Sequence, residues 1–201
     1  MPRIKHTKTE LKTQRDALQR FERYLPTLQL KKQQLQIEVR QMDAAIEQKR
    51  DELEAARTEL AAWVRLFAET FPFGDYLRLA ERRESTGNIA GVLIPVLEEL
   101  RFERRMPDLF ETPPWVDNGL DTLERQARLT IEIEVREEQR RRVAGELRTT
   151  AQRINLFEKV KIPETRENIR VIRIFLGDQM TAEVARSKIA KDKSSEKGRA
   201  A

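Results

Sequence analysis

Apolar positions recur along the first third of the chain with a seven-residue period. Stepping from Leu11 gives Leu18, Leu25, Lys32, Val39, Ile46, Leu53, Leu60 and Phe67, and all but Lys32 are apolar. The companion series three residues on runs Gln14, Phe21, Leu28, Leu35, Met42, Lys49, Ala56 and Trp63. A heptad repeat held this long predicts a coiled-coil seam, narrower than the apolar stripe of an ordinary globular helix. A second patterned region lies toward the other end. Leu147, Ala151, Ile154 and Phe157 form one stripe, while Ile162, Ile169, Ile172 and Leu176 form another, shifted in phase near Pro163. Gly145 and Gly177 lower helix propensity at their positions.

Between these flanks the pattern changes. Five of the eight prolines and four of the seven glycines fall between Phe71 and Gly119. The chain therefore reads as an N-terminal coiled-coil helix (1–70), a small head insert (71–118), a C-terminal coiled-coil helix (119–190) and a polar, disordered tail (191–201). The expected fold is mostly α: a long antiparallel two-helix coiled coil with a small middle insert containing a short β-hairpin. Within the insert, Ile89, Gly91, Val92, Ile94 and Pro95 mark the hairpin, with Leu100 to Glu103 as candidate partner strand and Pro95 at an edge or turn. A short buried helix is the other reading of that segment. Leu109, Phe110 and Trp115 are candidates to cover one face. On the helices the seam is assigned to Leu11, Leu18, Leu25, Val39, Ile46, Leu53, Leu60, Ile154, Phe157, Ile169, Ile172 and Leu176. In an antiparallel pairing Pro26 faces residue 162, next to Pro163. The heptad register continues through Pro26, which predicts a bend at this level and not a helix end.

Composition sharpens this picture. Charged residues make up 36% of the 201 residues and aromatics only 6%, which disfavours a thick core. There is no cysteine, so disulfides and thiolate chemistry are excluded. One histidine, His6, excludes a histidine-based metal site or triad, and it is expected as a solvated side chain. No phosphate loop ending in Lys-Ser or Lys-Thr occurs. Glu98-Glu99 and Glu137-Glu138 point about 100° apart on a helix and read as solvated faces, as does Arg140-Arg141-Arg142. No cofactor or metal is expected, and the chain reads as non-catalytic by itself. The longest apolar run, Ala90 to Leu97, is far too short to cross a bilayer, and the start of the chain does not read as a signal peptide.

Charge is polarised. Residues 1–50 carry net +6 and residues 151–201 net +5, while residues 51–100 carry −5 and residues 101–150 −1. A hairpin places both basic ends at one tip, so unlike partners are expected at the two ends. The tip candidates are Arg3, Lys5, Lys8, Arg186, Lys188 and Lys191. Nucleic-acid binding through this tip is disfavoured, because the basic runs are short and carry no interleaved aromatics. The residues alone leave a coiled-coil interaction protein, scaffold or adaptor, with a small head.

Three segments carry a family resemblance. Arg153-Ile-Asn-Leu-Phe-Glu-Lys-Val-Lys-Ile-Pro163, followed by Glu-Thr-Arg-Glu-Asn-Ile-Arg170, resembles the signature of the D subunits of V-type (V/A-type) rotary ATPases. Gly87-Asn-Ile-Ala-Gly-Val-Leu-Ile-Pro95 is similar to that family's Asn-Val-Ala-Gly-Val stretch, and Thr7, Lys8 and Leu11 match its start. Gly177-Asp178 departs from the family, in which the charged helix runs on. The resemblance implies a central-stalk rotor shaft, part of a complex that couples ATP synthesis or hydrolysis to proton (or sodium) transport. It implies as partners a ring of alternating A and B subunits, a small F subunit of the stalk, and the subunit capping the membrane rotor ring. It also implies a cytoplasmic location, peripheral to the membrane.

Overall fold

The computed structural model describes residues 4–61, 71–108, 110 and 112–199, the last five by backbone alone. Helix α1 spans Lys8–Ala61, α2 Phe73–Tyr76, α3 Val116–Leu156 and α4 Ile162–Arg199. Strands β1 (Leu77–Ile89) and β2 (Val92–Arg104) form one antiparallel pair. Arg3, Trp63, Phe67, Leu109 and the end of the expected first helix, residues 62–70, lie outside the described residues.

The start of α1 is written locally. Thr7 and Glu10 have the spacing of a capping box, and the Glu10 amide donates to Thr7 Oγ1 at 3.2 Å. Pro26 lies inside α1 and is exposed, and the helix continues through it.

The chain divides into two units, residues 1–30 with 150–201, and residues 31–149. In the terminal unit α1 runs antiparallel to the end of α3 and to α4. Arg166 pairs with Glu22 at 2.8 Å, and Gln29 Nε2 donates to Glu158 Oε1 at 2.8 Å. These contacts bracket the level shared by Pro26 and Pro163. Phe21 and Phe157 meet with ring centroids 5.1 Å apart. Ile154, Ile162, Ile169 and Ile172 are buried, whereas Leu11, Leu18, Leu25, Phe157 and Leu176 are half-buried.

The phase shift near Pro163 has a definite cause. The inward positions Thr150, Ile154 and Phe157 step by three or four residues, then Phe157 to Ile162 steps by five, then threes and fours resume at Thr165, Ile169 and Ile172. A π-helical turn at Phe157–Lys161 absorbs the extra residue, with the Ile162 amide donating to Phe157 O. Proline has no amide and its ring crowds the carbonyl four residues back, so a widened turn before Pro163 keeps the helix continuous. The Thr165 hydroxyl donates to Lys161 O at 2.6 Å.

In the middle unit the β-hairpin packs on helices. Leu35 of α1, Ile94 of β2 and Val143 of α3 form a buried cluster, surrounded by Val39, Met42, Ile89, Val92, Val96 and Leu147. Ile46 is also buried, while Val39, Leu53 and Leu60 are half-buried. Ion pairs tie α1 to α3: Lys31–Glu146 at 2.8 Å, Asp43–Arg140 at 2.8 Å, Lys49–Glu132 at 3.2 Å and Arg50–Glu137 at 2.5 Å. Phe71, Phe73, Tyr76 and Trp115 cluster beside the open end of the hairpin, with ring centroids 4.9 to 6.3 Å apart.

Three expectations are corrected. The strand partner of Val92–Leu97 is the upstream stretch 77–89, and Leu100 to Glu103 continues the same strand. The hairpin turns at Ala90-Gly91, both in the left-handed region (φ 50° and 83°), as a two-residue turn between right-twisted strands requires. Asn88 Oδ1 accepts the Gly91 amide at 2.9 Å and supports the turn. Phe110, a candidate cover for the head, is fully exposed. Finally, α4 runs through Gly177 to Arg199, so residues 191–199 are helical and not a disordered tail. Most of residues 178–193 have good intrinsic helix propensity, and the Gln179–Glu183 hydrogen bond at 3.2 Å adds i,i+4 support.

Candidate interaction surfaces

Three surfaces stand out, two in the terminal unit and one in the middle unit. The first lies on α4. His6 contacts Phe175 with ring centroids 4.8 Å apart, which sets the start of α1 beside residue 175. His6 is exposed, yet this ring contact gives it a neighbour that the sequence did not show. From residue 176 to Arg199, α4 continues past the start of α1. Met180, Val184 and Ile189 on this stretch are 60%, 70% and 56% exposed. Met180 and Val184, four residues apart, share one face of the helix.

Lys5, Lys8, Arg186, Lys188 and Lys191 are all exposed. They do not share one level. At 1.5 Å per residue, Lys188 lies about 20 Å along α4 from Phe175, whereas Lys5 sits next to His6. The basic charge is thus spread along the helix end.

The second surface is a groove of about 480 Å³ between α1 and α4 within the terminal unit. Leu18, Ile169 and Ile174 supply apolar lining, and Arg15, Arg166, Arg170 and Arg173 edge it. Arg166 pairs with Glu22, and Arg170 with Glu167 at 2.6 Å. The hydrogen bond from Arg170 holds the Glu167 carboxyl below its ordinary range.

The third surface is the hairpin. Of the marked head residues, Ile94 is buried, Ile89, Val92 and Pro95 are half-buried, and Gly91 is exposed at the turn. Pro95 sits within β2 opposite Thr86, in a sheet where each strand is an edge. Its carbonyl accepts from Gln139 Nε2 at 2.6 Å, and Leu93 O accepts from Arg142 Nη1 at 3.4 Å. The charged run expected as a solvated face thus reaches across. Arg140 pairs with α1, Arg142 contacts β2, and Glu138 pairs with both Arg141 and Arg142. Hydrogen bonding by Arg142, with the Arg141 charge, lowers the Glu138 pKa. At the other end of the hairpin Arg104 pairs with Asp117 and Asp121, and its pKa is raised chiefly by the Asp121 hydrogen bond. Leu93, 61% exposed, leaves an apolar side chain free near the turn.

Among the described residues there is no cluster of His, Cys, Asp or Glu able to hold a metal ion, and no helix long and apolar enough to cross a membrane. The chemistry on view is that of contact surfaces: aliphatic stretches, guanidinium edges and a hairpin held by carbonyl-capping side chains.

These features define a class: long helices paired antiparallel and interrupted by a two-stranded insert. Residues 10–192 match the family model for the ATP synthase D subunit. The chain is 42% identical to the V-type ATP synthase D subunit of Borreliella burgdorferi over 199 residues, covering 99% of this chain and 98% of that protein. It is 31% identical to the protein of the same name in Chlamydia caviae, over 94% of this chain and 93% of that protein. The match to its counterpart in Chlamydia muridarum is 33%, over 94% of this chain and 95% of that protein. The chain belongs to the family of ATP synthase D subunits.

Proposed function

We propose that this chain is the central rotor shaft of a V-type ATPase or ATP synthase, coupling ATP synthesis or hydrolysis in a ring of A and B subunits to proton or sodium transport. The observation that carries the reading is the end of α4. It continues past the start of α1 with Met180, Val184 and Ile189 exposed and with Arg186, Lys188 and Lys191 among them. A helix end of that character is built to be surrounded by another protein. The hairpin insert faces the cap of the membrane rotor ring, and the small F subunit of the stalk clasps the shaft. The shaft itself supplies contacts, nucleotide chemistry resides on the ring, and the complex lies on the cytoplasmic side, peripheral to the membrane.

The mechanism follows from symmetry. One shaft cannot present the same residues to all three faces of a threefold ring. Each nucleotide site therefore meets different side chains, which bias it between open and closed states by their differential contact free energy alone. A bias of about 1.4 kcal/mol changes nucleotide affinity about tenfold. Rotation carries that bias from site to site. Steady transmission needs helices that do not slip, and the α1 seam with its ion pairs to α3 supports this.

The test is reconstitution with the ring subunits. Replacing Arg3, Lys5, Lys8, Arg186, Lys188 and Lys191 with Ala should weaken assembly or uncouple ATP hydrolysis from ion transport. Ending the chain at Gly177 should do so more strongly. Unchanged assembly and coupling in both variants would refute the proposal.

A further inference from the structure

The groove between α1 and α4 in the terminal unit has two unlike ends. One end is closed by the Glu22–Arg166 ion pair. Seven residues from Glu22 along α1 stands Arg15, and seven residues from Arg166 along α4 stands Arg173. Because the helices run antiparallel, the two arginines reach the same level, and seven residues is nearly two full turns, which keeps each on the face of the ion pair. Both line the groove. Neither has an ion-pair or hydrogen-bond partner among the described residues. The other two edging arginines are each matched by a carboxylate, Arg166 by Glu22 and Arg170 by Glu167. The unbalanced positive charge is therefore confined to the Arg15–Arg173 end. Between the ends the floor is apolar: Ile169 is buried, Leu18 is half-buried and Ile174 is 51% exposed. The volume, about 480 Å³, lies within the range of about 300–1,000 Å³ usual for small-molecule sites.

We infer that this groove binds a small amphipathic organic anion, with one carboxylate or sulfonate head and an apolar body. Guanidinium groups are planar, weakly hydrated and forked to match such a head, so they hold it beside apolar surface where an ammonium would keep its water. Arg15 and Arg173, from the two helices, share the head group. The body lies over Leu18 and Ile174 toward the ion pair about 10 Å away. That far end rejects a second charge, since its arginine is already matched and an added acidic group would meet Glu22. Inorganic phosphate leaves the apolar floor in water, and an uncharged apolar compound leaves both guanidinium groups unpaired. A ligand held by both arginines also ties α1 to α4, so occupancy stabilises the terminal unit.

The site belongs to the chain itself and does not depend on the shaft reading. The probe is anilinonaphthalene sulfonate, whose emission rises in apolar surroundings, set against phenylnaphthylamine, the same ring system without the sulfonate. Titrated into the full chain, the sulfonate should saturate at one site per chain and be displaced by decanoate but not by inorganic phosphate. Arg15→Gln and Arg173→Gln should each weaken it about tenfold, the loss of one charge-assisted contact, and Ile174→Asp should abolish it. Arg20→Gln, at an exposed arginine outside the groove, and Met180→Asp, on the exposed end of α4, should keep wild-type affinity. Helical circular dichroism should be unchanged in every variant. Saturating decanoate should slow amide exchange in the wild-type terminal unit and not in Arg173→Gln. Absence of saturable binding, equal affinity for the uncharged amine, or wild-type affinity in both arginine variants would overturn the inference. Loss of the signal in Met180→Asp alone would overturn it in favour of the exposed end of α4.

Discussion

The terminal and middle units are made from the same two kinds of helix and are held together differently. In the terminal unit two helices meet along one seam. Its α1 positions Leu11, Leu18 and Leu25 stay half-buried, and Ile174 and Phe175 remain about half exposed. In the middle unit a third layer is present. The hairpin brings Ile94 between the helices, so Leu35 and Val143 become fully buried. Cross-helix ion pairs are also denser there, with Lys31, Asp43, Lys49 and Arg50 of α1 all paired to α3. On α1 the third layer deepens burial, whereas in the terminal unit the deepest burial lies on the facing helix, where Ile172 is fully buried. The comparison teaches that the burial of an α1 seam position depends on the layers packed over it and not on the heptad alone.

The largest expected effect follows directly. Leu35→Ala or Val143→Ala removes fully buried atoms, and the Leu35 change should cost about 2–5 kcal/mol in urea unfolding. Leu18→Ala in the terminal unit should cost visibly less. Equal losses would break the comparison. Gly87→Ala comes next. A β-carbon there would lie 2.7 Å from Val96 Cγ2, and the β-branched Val96 has little freedom to move away. A loss of about 1–3 kcal/mol is expected, read by thermal unfolding. Pro26→Ala should act in the other direction. It restores an amide in the interior of α1, and a gain of about 1–3 kcal/mol in the terminal unit is expected by hydrogen exchange.

Smaller effects sharpen the picture at the hairpin. Ala90 holds φ at 50° without the tolerance of Asn or Gly. Ala90→Asn should stabilise by about 0.5–1 kcal/mol, measured by chemical denaturation. The smallest concerns pH. The Glu138 pKa is lowered by hydrogen bonding to Arg142 and the Arg141 charge. Its contribution is present above the ordinary glutamate range and is lost as pH falls through the depressed folded value. Glu138→Gln should flatten that acid limb slightly, and a carboxyl NMR titration should show the lowered midpoint directly.

Much of this architecture was legible from periodicity. The heptads of α1 and the isoleucine stripe of α4 report seams, and the five-residue step at Phe157–Ile162 was visible as a phase shift. Its form, a π turn ahead of Pro163, was not, because periodicity records an extra residue without saying how the backbone takes it up. Strand β1 was missed because Leu-Arg-Leu-Ala-Glu-Arg-Arg-Glu reads as helical surface, and its strand character comes from pairing with β2. A bulge at Ala80 further blurs its alternation. The turn was obscured by Ala at a position where Asn is the usual signal. At the surfaces, charge counting found the basic residues but not their spread, since the length of α4 beyond α1 depends on which residues meet.

The central claim is that one copy of this chain serves a ring of three A and three B subunits. Native mass spectrometry of the assembly purified through a tag on this chain tests it most directly. A complex with A, B and this chain in a 3:3:1 ratio, losing its ring when α4 ends at Gly177, is the predicted result. A chain recovered alone, as a self-paired dimer, or with partners unrelated to a rotary motor would contradict it.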